Sequence, residues 1–132
     1  MSSEHSPLPA HLQPAALGLV AVGGAVGTLA RHGIESAVPD AGGLPVAIVG
    51  INVLGAFLRG VLTALAPGER VRLLLGTGVL GGFTTYSTYA LDTRLLLDQH
   101  HPALALAFVL ATLAGGFAAS VLGLAAGRRW HR

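Results

Sequence analysis

The sequence predicts an all-α membrane protein of four transmembrane helices, the third broken at mid-membrane. Three observations predict it. Apolar residues make up 52% of the 132-residue chain and charged residues only 11%, the balance of a chain whose solvent is lipid. The apolar residues gather into four stretches, residues 15–34, 44–66, 73–91 and 103–126, each near the roughly 20 residues that a helix needs to cross a bilayer. The third stretch carries no charge from Leu73 to Leu91, yet its centre reads Gly81-Gly82-Phe83-Thr84-Thr85-Tyr86-Ser87-Thr88-Tyr89. Two glycines weaken helical geometry there, and the hydroxyls offer the backbone rival hydrogen bonds. Non-helical backbone at membrane depth is tolerated only where it is buried in protein or lines a wet cavity. The stretch therefore reads as a broken helix that binds or passes something polar, or as a kinked helix whose hydroxyls hold it to its neighbours.

Residues 1–13 are polar, and residues 14–132 form one small bundle. The N-terminal stretch lacks the basic region and cleavage site of a secretory signal and reads as a disordered cytoplasmic tail. His5 and His11 read as solvated, since no carboxylate is spaced to join them at a metal.

The first span contains Gly23-x-x-x-Gly27, small residues that let another backbone approach closely. Arg31 falls in its last turns, where it either snorkels to the headgroups or sets a fixed charge at a pore mouth, and Glu35 stands four residues on as a possible ion-pair partner. Pro39 to Gly43 reads as a turn. In the second span Asn52 lies near mid-membrane, where an amide must find a partner, either as glue between helices or as pore wall. Arg59 lies seven residues further on the same face, roughly 10 Å along the axis. It either draws anions into a vestibule or snorkels from the helix end. Pro67 to Arg70 reads as a turn outside the membrane.

Within the third span, Gly76-x-Gly78-x-x-Gly81 matches a dinucleotide fingerprint. That fingerprint needs a strand before it in a soluble βαβ unit, so it is set aside, and Gly78-x-x-x-Gly82 is read as close helix packing. Asp92, Arg94, Asp98 and His100-His101-Pro102 read as a wet loop. The fourth span has a small or polar side at Thr112, Gly115, Gly116, Ser120 and Gly123, and Arg128 to Arg132 with Trp130 anchors its end at the interface.

Several functions are disfavoured. The chain has no cysteine, so disulfide, zinc and thiol chemistry are out of reach. It has no nucleophile–base pair or phosphate loop, which argues against an enzyme. Its acids, Glu4, Glu35, Asp40, Glu69, Asp92 and Asp98, lie outside the apolar centres, whereas a proton-coupled exporter of the small-multidrug type needs a carboxylate inside the membrane. There is no lysine, so each of the eight basic residues is an arginine near a segment end, and the basic pI reports orientation rather than a nucleic-acid face.

Gly81-Gly82-x-Thr84-Thr85-x-Ser87-Thr88, with Gly23-Gly24-Ala25-Val26-Gly27-x-x-x-Arg31 and Asn52-x-x-Gly55-x-Phe57 before it, resembles the signature of the Fluc, or CrcB-type, fluoride channels. Tyr86 and Tyr89 stand where that signature has phenylalanines. The resemblance implies an antiparallel dimer with two pores at its interface, through which fluoride leaves the cell passively. It implies a pore lined by Asn52, Tyr86, Thr88, Tyr89, Phe108 and Thr112, with Arg31 at its mouth; Arg59 is a vestibule candidate on its helix position alone. It also implies a structural sodium ion at the dimer centre, held by the carbonyls of Gly81 and Thr84 of both subunits, and no organic cofactor. Where the family shows a tyrosine and two serines along the fourth span, this chain has Phe108, Thr112 and Gly116. Three other readings remain open: one subunit of an obligate heterodimeric channel with a degenerate pore, a small-multidrug-type four-helix exporter, and a membrane scaffold that transports nothing. Four spans would put both termini on the side that carries Arg59, Arg70, Arg72, Arg128, Arg129 and Arg132, against Arg31 and Arg94 opposite, which predicts a cell-membrane protein with cytoplasmic termini.

Overall fold

The computed structural model describes residues 13–130. Among them every extended element is helical. Helix α1 (Pro14–Ala37) starts on a proline, which suits the first turn because its missing N–H would have no partner there. A tight turn follows, in which Ala41 and Leu44 exchange two backbone hydrogen bonds of 3.0 Å; Gly42 and Gly43 take it through positive φ. Helix α2 (Val46–Leu65) stops at Ala66, which adopts the left-handed conformation just before Pro67.

The third segment is assembled from pieces. Helix α3 (Glu69–Val71) runs into a π-helical stretch, Arg72–Val79, and then into α4 (Leu80–Phe83). At Thr84 the backbone turns extended, with ψ at 150°. Helix α5 (Ser87–Asp98) restarts after the gap, and α6 (Pro102–Trp130) completes the chain. Helical structure thus reaches further than the sequence reading at several ends, and α1 runs on past Ile34 to Ala37. Glu69 and Arg70, read as a turn, open α3, and Asp92, Arg94 and Asp98, read as a loop, lie in α5, where Arg94 Nε donates to Asp98 at 3.0 Å. Trp130 still belongs to α6.

Two close helix pairs build the bundle, and glycine makes each possible. A Cβ added to Gly27 would strike the Val79 carbonyl and the Phe83 nitrogen of the third segment, and one at Gly82 would strike the Gly24 carbonyl. Gly23 and Gly78 face each other, with 2.9 Å from a Cβ at Gly78 to the Gly23 Cα. Backbones this close gain dispersion contact and do not rely on a hydrophobic effect that lipid does not supply. Gly60, Gly123 and Gly127 do the same for α2 and α6. The pairs join around Ile48, Ile51, Phe83, Leu96, Ala105 and Phe108, with Ile51 and Phe108 fully buried.

The outside of the bundle is aliphatic: Leu17, Val22, Val26 and Leu29 of α1 and Leu106, Leu110, Leu113 and Phe117 of α6 are exposed. Such a surface suits lipid or a partner rather than water. Helices α1, α2 and α6 are each long and apolar enough to cross a membrane. At one end Gln13 of the chain's start meets Glu69 and Arg70, and Gly127 packs on Val61 and Ala64. At the other end Asp40 and Gly43 meet Leu95, Leu96 and Gln99. The broken segment therefore begins at one end of the bundle and finishes at the other.

Candidate functional site at the broken segment

The break is held open by side chains that take over the amides a continuous helix would use. Asn52 Nδ2 donates to the Thr85 carbonyl at 3.1 Å, and the Thr85 N–H donates back to Asn52 Oδ1 at 2.9 Å. This pairing fixes which way the amide points, because only the oxygen can accept from an N–H. Thr85, buried two residues before α5, ties down the helix start: its Oγ1 accepts from the Thr88 N–H at 3.1 Å and donates to Thr88 Oγ1 at 3.1 Å. Ser87 Oγ lies 3.3 Å from the same hydroxyl.

These bonds decide the state of two carbonyls. In an unbroken helix Gly81 C=O would accept from the Thr85 N–H, and Thr84 C=O from the Thr88 N–H. Both amides are committed elsewhere, to Asn52 and to the Thr85 hydroxyl. Gly81 is exposed on the subunit, and nothing lies within 4 Å of a Cβ built there. Carbonyl oxygens released from a helix are hard, neutral donors of the kind that suit sodium, so the Gly81 and Thr84 carbonyls fit such an ion. The carbonyl between them is treated differently. Gly82 C=O accepts from Arg31 Nε at 3.3 Å and from Thr28 Oγ1 at 3.4 Å.

Beside the clamp lies an open groove of about 270 Å³ lined by Asn52, Thr84, Thr85, Tyr86, Tyr89, Thr112 and Leu113. Asn52 has used one N–H and one lone pair on Thr85, which leaves one donor and one acceptor site on its amide. Tyr86, just before α5, and Tyr89, in its first turn, stack obliquely with ring centroids 5.9 Å apart, and neither phenol hydrogen-bonds within the described residues.

A family model described as CrcB-like protein, Camphor Resistance (CrcB), matches residues 18–124. A fluoride-specific ion channel FluC 2 of Leifsonia xyli subsp. xyli is 44% identical over 133 residues, covering 95% of this chain and 92% of that protein. Another of that name in Streptomyces avermitilis is 46% identical over 78% of this chain and 69% of its own. A fluoride-specific ion channel FluC of Paracoccus denitrificans is 39% identical, covering 83% and 91%. The chain belongs to the CrcB-like family. That family is one of ion channels and not of enzymes.

In this CrcB-like chain the residues expected at the site divide into three groups. Asn52, Tyr86, Tyr89 and Thr112 meet at the groove with Thr84. Thr112 spends its hydroxyl proton on the Phe108 carbonyl, one turn back in its own helix, at 2.8 Å. Phe108 and Thr88 do not reach the groove wall. Phe108 is fully buried behind Tyr89, with ring centroids 5.4 Å apart, and Thr88 faces a separate pocket of about 200 Å³ with Glu35, Asp40 and Asp92. Arg31 and Arg59 line neither space. Arg31 is drawn inward, its Nη1 3.2 Å from Glu35 and its Nε on Gly82, so its charge is engaged rather than free at a mouth.

Two features escaped the sequence reading. Thr85 stands in the sequence only as part of the Thr84-Thr85-x-Ser87-Thr88 signature, and its pairing with Asn52 and with the Thr88 N–H appears only in the fold. The acid cluster is not legible in the sequence because Asp92 joins Glu35 and Asp40, at the end of α1 and the turn after it, only through the fold. Asp92 lies just beyond the apolar segment. Its partial burial, and then the nearby charges of Asp40 and Glu35, push its carboxyl above the ordinary range.

Proposed function

We propose that this chain forms a passive channel by which fluoride leaves the cytoplasm, lowering fluoride toxicity. The relatives at 39–46% identity carry the name fluoride-specific ion channel. The observation that supports the reading within this chain is the Asn52–Thr85 clamp, which sets the Asn52 amide and two tyrosine rings in the wall of a groove beside the break. A small, strongly hydrated anion must trade its water for donors already in place. Asn52 has a free N–H, the phenols of Tyr86 and Tyr89 are unengaged, and ring edges carry partial positive charge. Thr112 joins once its hydroxyl turns from the Phe108 carbonyl, Phe108 backs the Tyr89 ring, and Thr88 marks the way out past the Asp92 pocket. No full positive charge stands in the groove, where it would trap the ion. Arg31 orders the break, and Arg59 stands outside both spaces, toward the arginine-rich end.

In this reading the broken segment is a fourth crossing, and two subunits pack antiparallel with a pore on each side of their interface. Tyr86, 81% exposed on the lone subunit, then faces the partner. Gly81 and Thr84 carbonyls of both subunits would hold sodium at the centre, where the ion supplies a charge that ties the two breaks together. The protein lies in the cell membrane with its termini in the cytoplasm, the side richer in arginine. The same arginine bias favours a variant of this reading in which the antiparallel partner is a homologous second subunit.

A bacterial strain stripped of its own fluoride export tests the proposal. Expression of this chain, alone or with a co-encoded homologue, restores growth at fluoride concentrations that arrest the empty-vector strain. Arrest at the same concentration, with the chain present in the membrane, overturns it.

A further inference from the structure

Arg59 is the only charged residue of α2, six residues or about 9 Å before its end. Its guanidinium and the stem of Arg72 reach over the same bare spot, Gly76. A Cβ built there would lie 3.6 Å from Arg59 Nη1, 3.8 Å from Arg72 Cγ and 3.1 Å from Leu62 Cδ2. Gly76 is buried beneath them while both arginines stay exposed. Arg31 and Arg94, toward the opposite end of the bundle, each hold a carboxylate. Among the described residues no carboxylate comes within ion-pairing distance of Arg59 or Arg72.

Leu62 also forms a wall of a second groove, about 270 Å³, between α2 and the π-helical stretch. Leu58, Val61, Leu65, Leu75 and Val79 line it with Leu62, and no polar side chain does. The Arg59 guanidinium and the stem of Arg72 thus meet, with no carboxylate in ion-pairing distance of either arginine, at the edge of an aliphatic trough. A bare anion such as fluoride gains from the arginines and nothing from the trough. A ligand that uses both is an amphiphile with an anionic head. We propose that Arg59 and Arg72 hold the phosphate of an anionic phospholipid whose acyl chain lies in the groove between α2 and the third segment. Guanidinium groups match phosphate oxygens in paired hydrogen bonds, and Arg59 is long enough to snorkel toward the interface where Arg72 begins the third segment. The lipid would brace the π-helical stretch against α2. The proposal rests on the chain lying in a membrane and is independent of whether it conducts.

The test is native mass spectrometry of the assembled protein after exposure to phosphatidylglycerol, to phosphatidylcholine with the same acyl chains, and to soluble glycerol phosphate. The wild type retains phosphatidylglycerol about thirtyfold more strongly than phosphatidylcholine, equivalent to about 2 kcal/mol, or about 1 for each arginine. In Arg59→Gln/Arg72→Gln the preference falls to near parity. In Leu75→Trp, which fills the trough, retention of both lipids falls. Equal retention of the two lipids by the wild type overturns the proposal, a result that needs no variant to fold. So does a preference unchanged in the double variant, displacement of phosphatidylglycerol by glycerol phosphate at equal concentration, or an assembled protein that keeps no lipid because a second subunit covers the groove.

Discussion

Asn52 is the residue on which the break turns. Its amide satisfies both backbone groups of Thr85 and still has a donor to spare. Asn52→Leu keeps the volume and abandons both groups. Leaving two buried backbone groups unpaired costs about 2–4 kcal/mol, and we expect both a lower unfolding midpoint in detergent and a loss of fluoride flux. Unchanged stability would show that Thr85 finds other partners. Asn52 was legible in the sequence as an amide in need of a partner, but which partner was not, because Thr85 lies 33 residues away and joins it only through the fold. Asp92 gives a second prediction at this scale. Its folded pKa is raised, mainly by burial, so ionising it works against the fold. The stability it contributes is present below the ordinary carboxylate pKa and is lost as pH rises through the raised one. Asp92→Asn should remove that part of the decline, visible in unfolding midpoints measured across the mildly acidic range. An identical pH slope in the variant would contradict the assignment.

At the scale of the element, the third segment was legible as interrupted because glycines and hydroxyls crowd its centre. Its π-helical first half was not legible. The widening begins at Arg72 and spans Gly76 and Gly78, in a stretch whose composition alone reads as ordinary membrane helix. What it accompanies is a contact, Gly78 against Gly23, that only the assembled pair reveals. Two glycines separate fold from assembly. A methyl at Gly27 meets the backbone of Val79 and Phe83, which cannot step aside, so Gly27→Ala should cost about 3 kcal/mol, the upper end for an overpacked core. A methyl at Gly81 meets nothing within the subunit. Gly81→Ala should therefore leave the subunit fold intact while weakening the dimer and its response to sodium, measured as dimer fraction across a sodium series. A sodium-independent dimer in the wild type would remove the ion from the account.

For the whole molecule, composition announced lipid as the solvent, and the exposed aliphatic faces of α1 and α6 agree. The polarity of the ends was countable from arginines. The described residues place Arg70, Arg72, Arg128 and Arg129 at one end, with Arg59 toward it, and Arg31 and Arg94 toward the other. Cationic bias of this kind fixes insertion. The chain has no cysteine, so single cysteines introduced as Ser3→Cys and His101→Cys can be labelled from outside intact cells. Labelling at residue 101 alone is expected, and comparable labelling at both would mean dual insertion and remove the case for a homologous partner. The groove at Asn52 is open on the side where Tyr86 stands exposed, so what covers it there is not written in the pattern of this chain.

The most direct test of the anion path is fluoride efflux from loaded liposomes, followed with a fluoride electrode, for the wild type, Tyr86→Phe, Tyr86→Ile and Tyr89→Ile, each checked for an intact dimer. The path described here predicts rapid efflux for the wild type and Tyr86→Phe and a loss of about tenfold in each isoleucine variant, equivalent to about 1.4 kcal/mol for removal of an aromatic edge in a desolvated site. Wild-type efflux in both isoleucine variants would contradict it and return the two rings to packing.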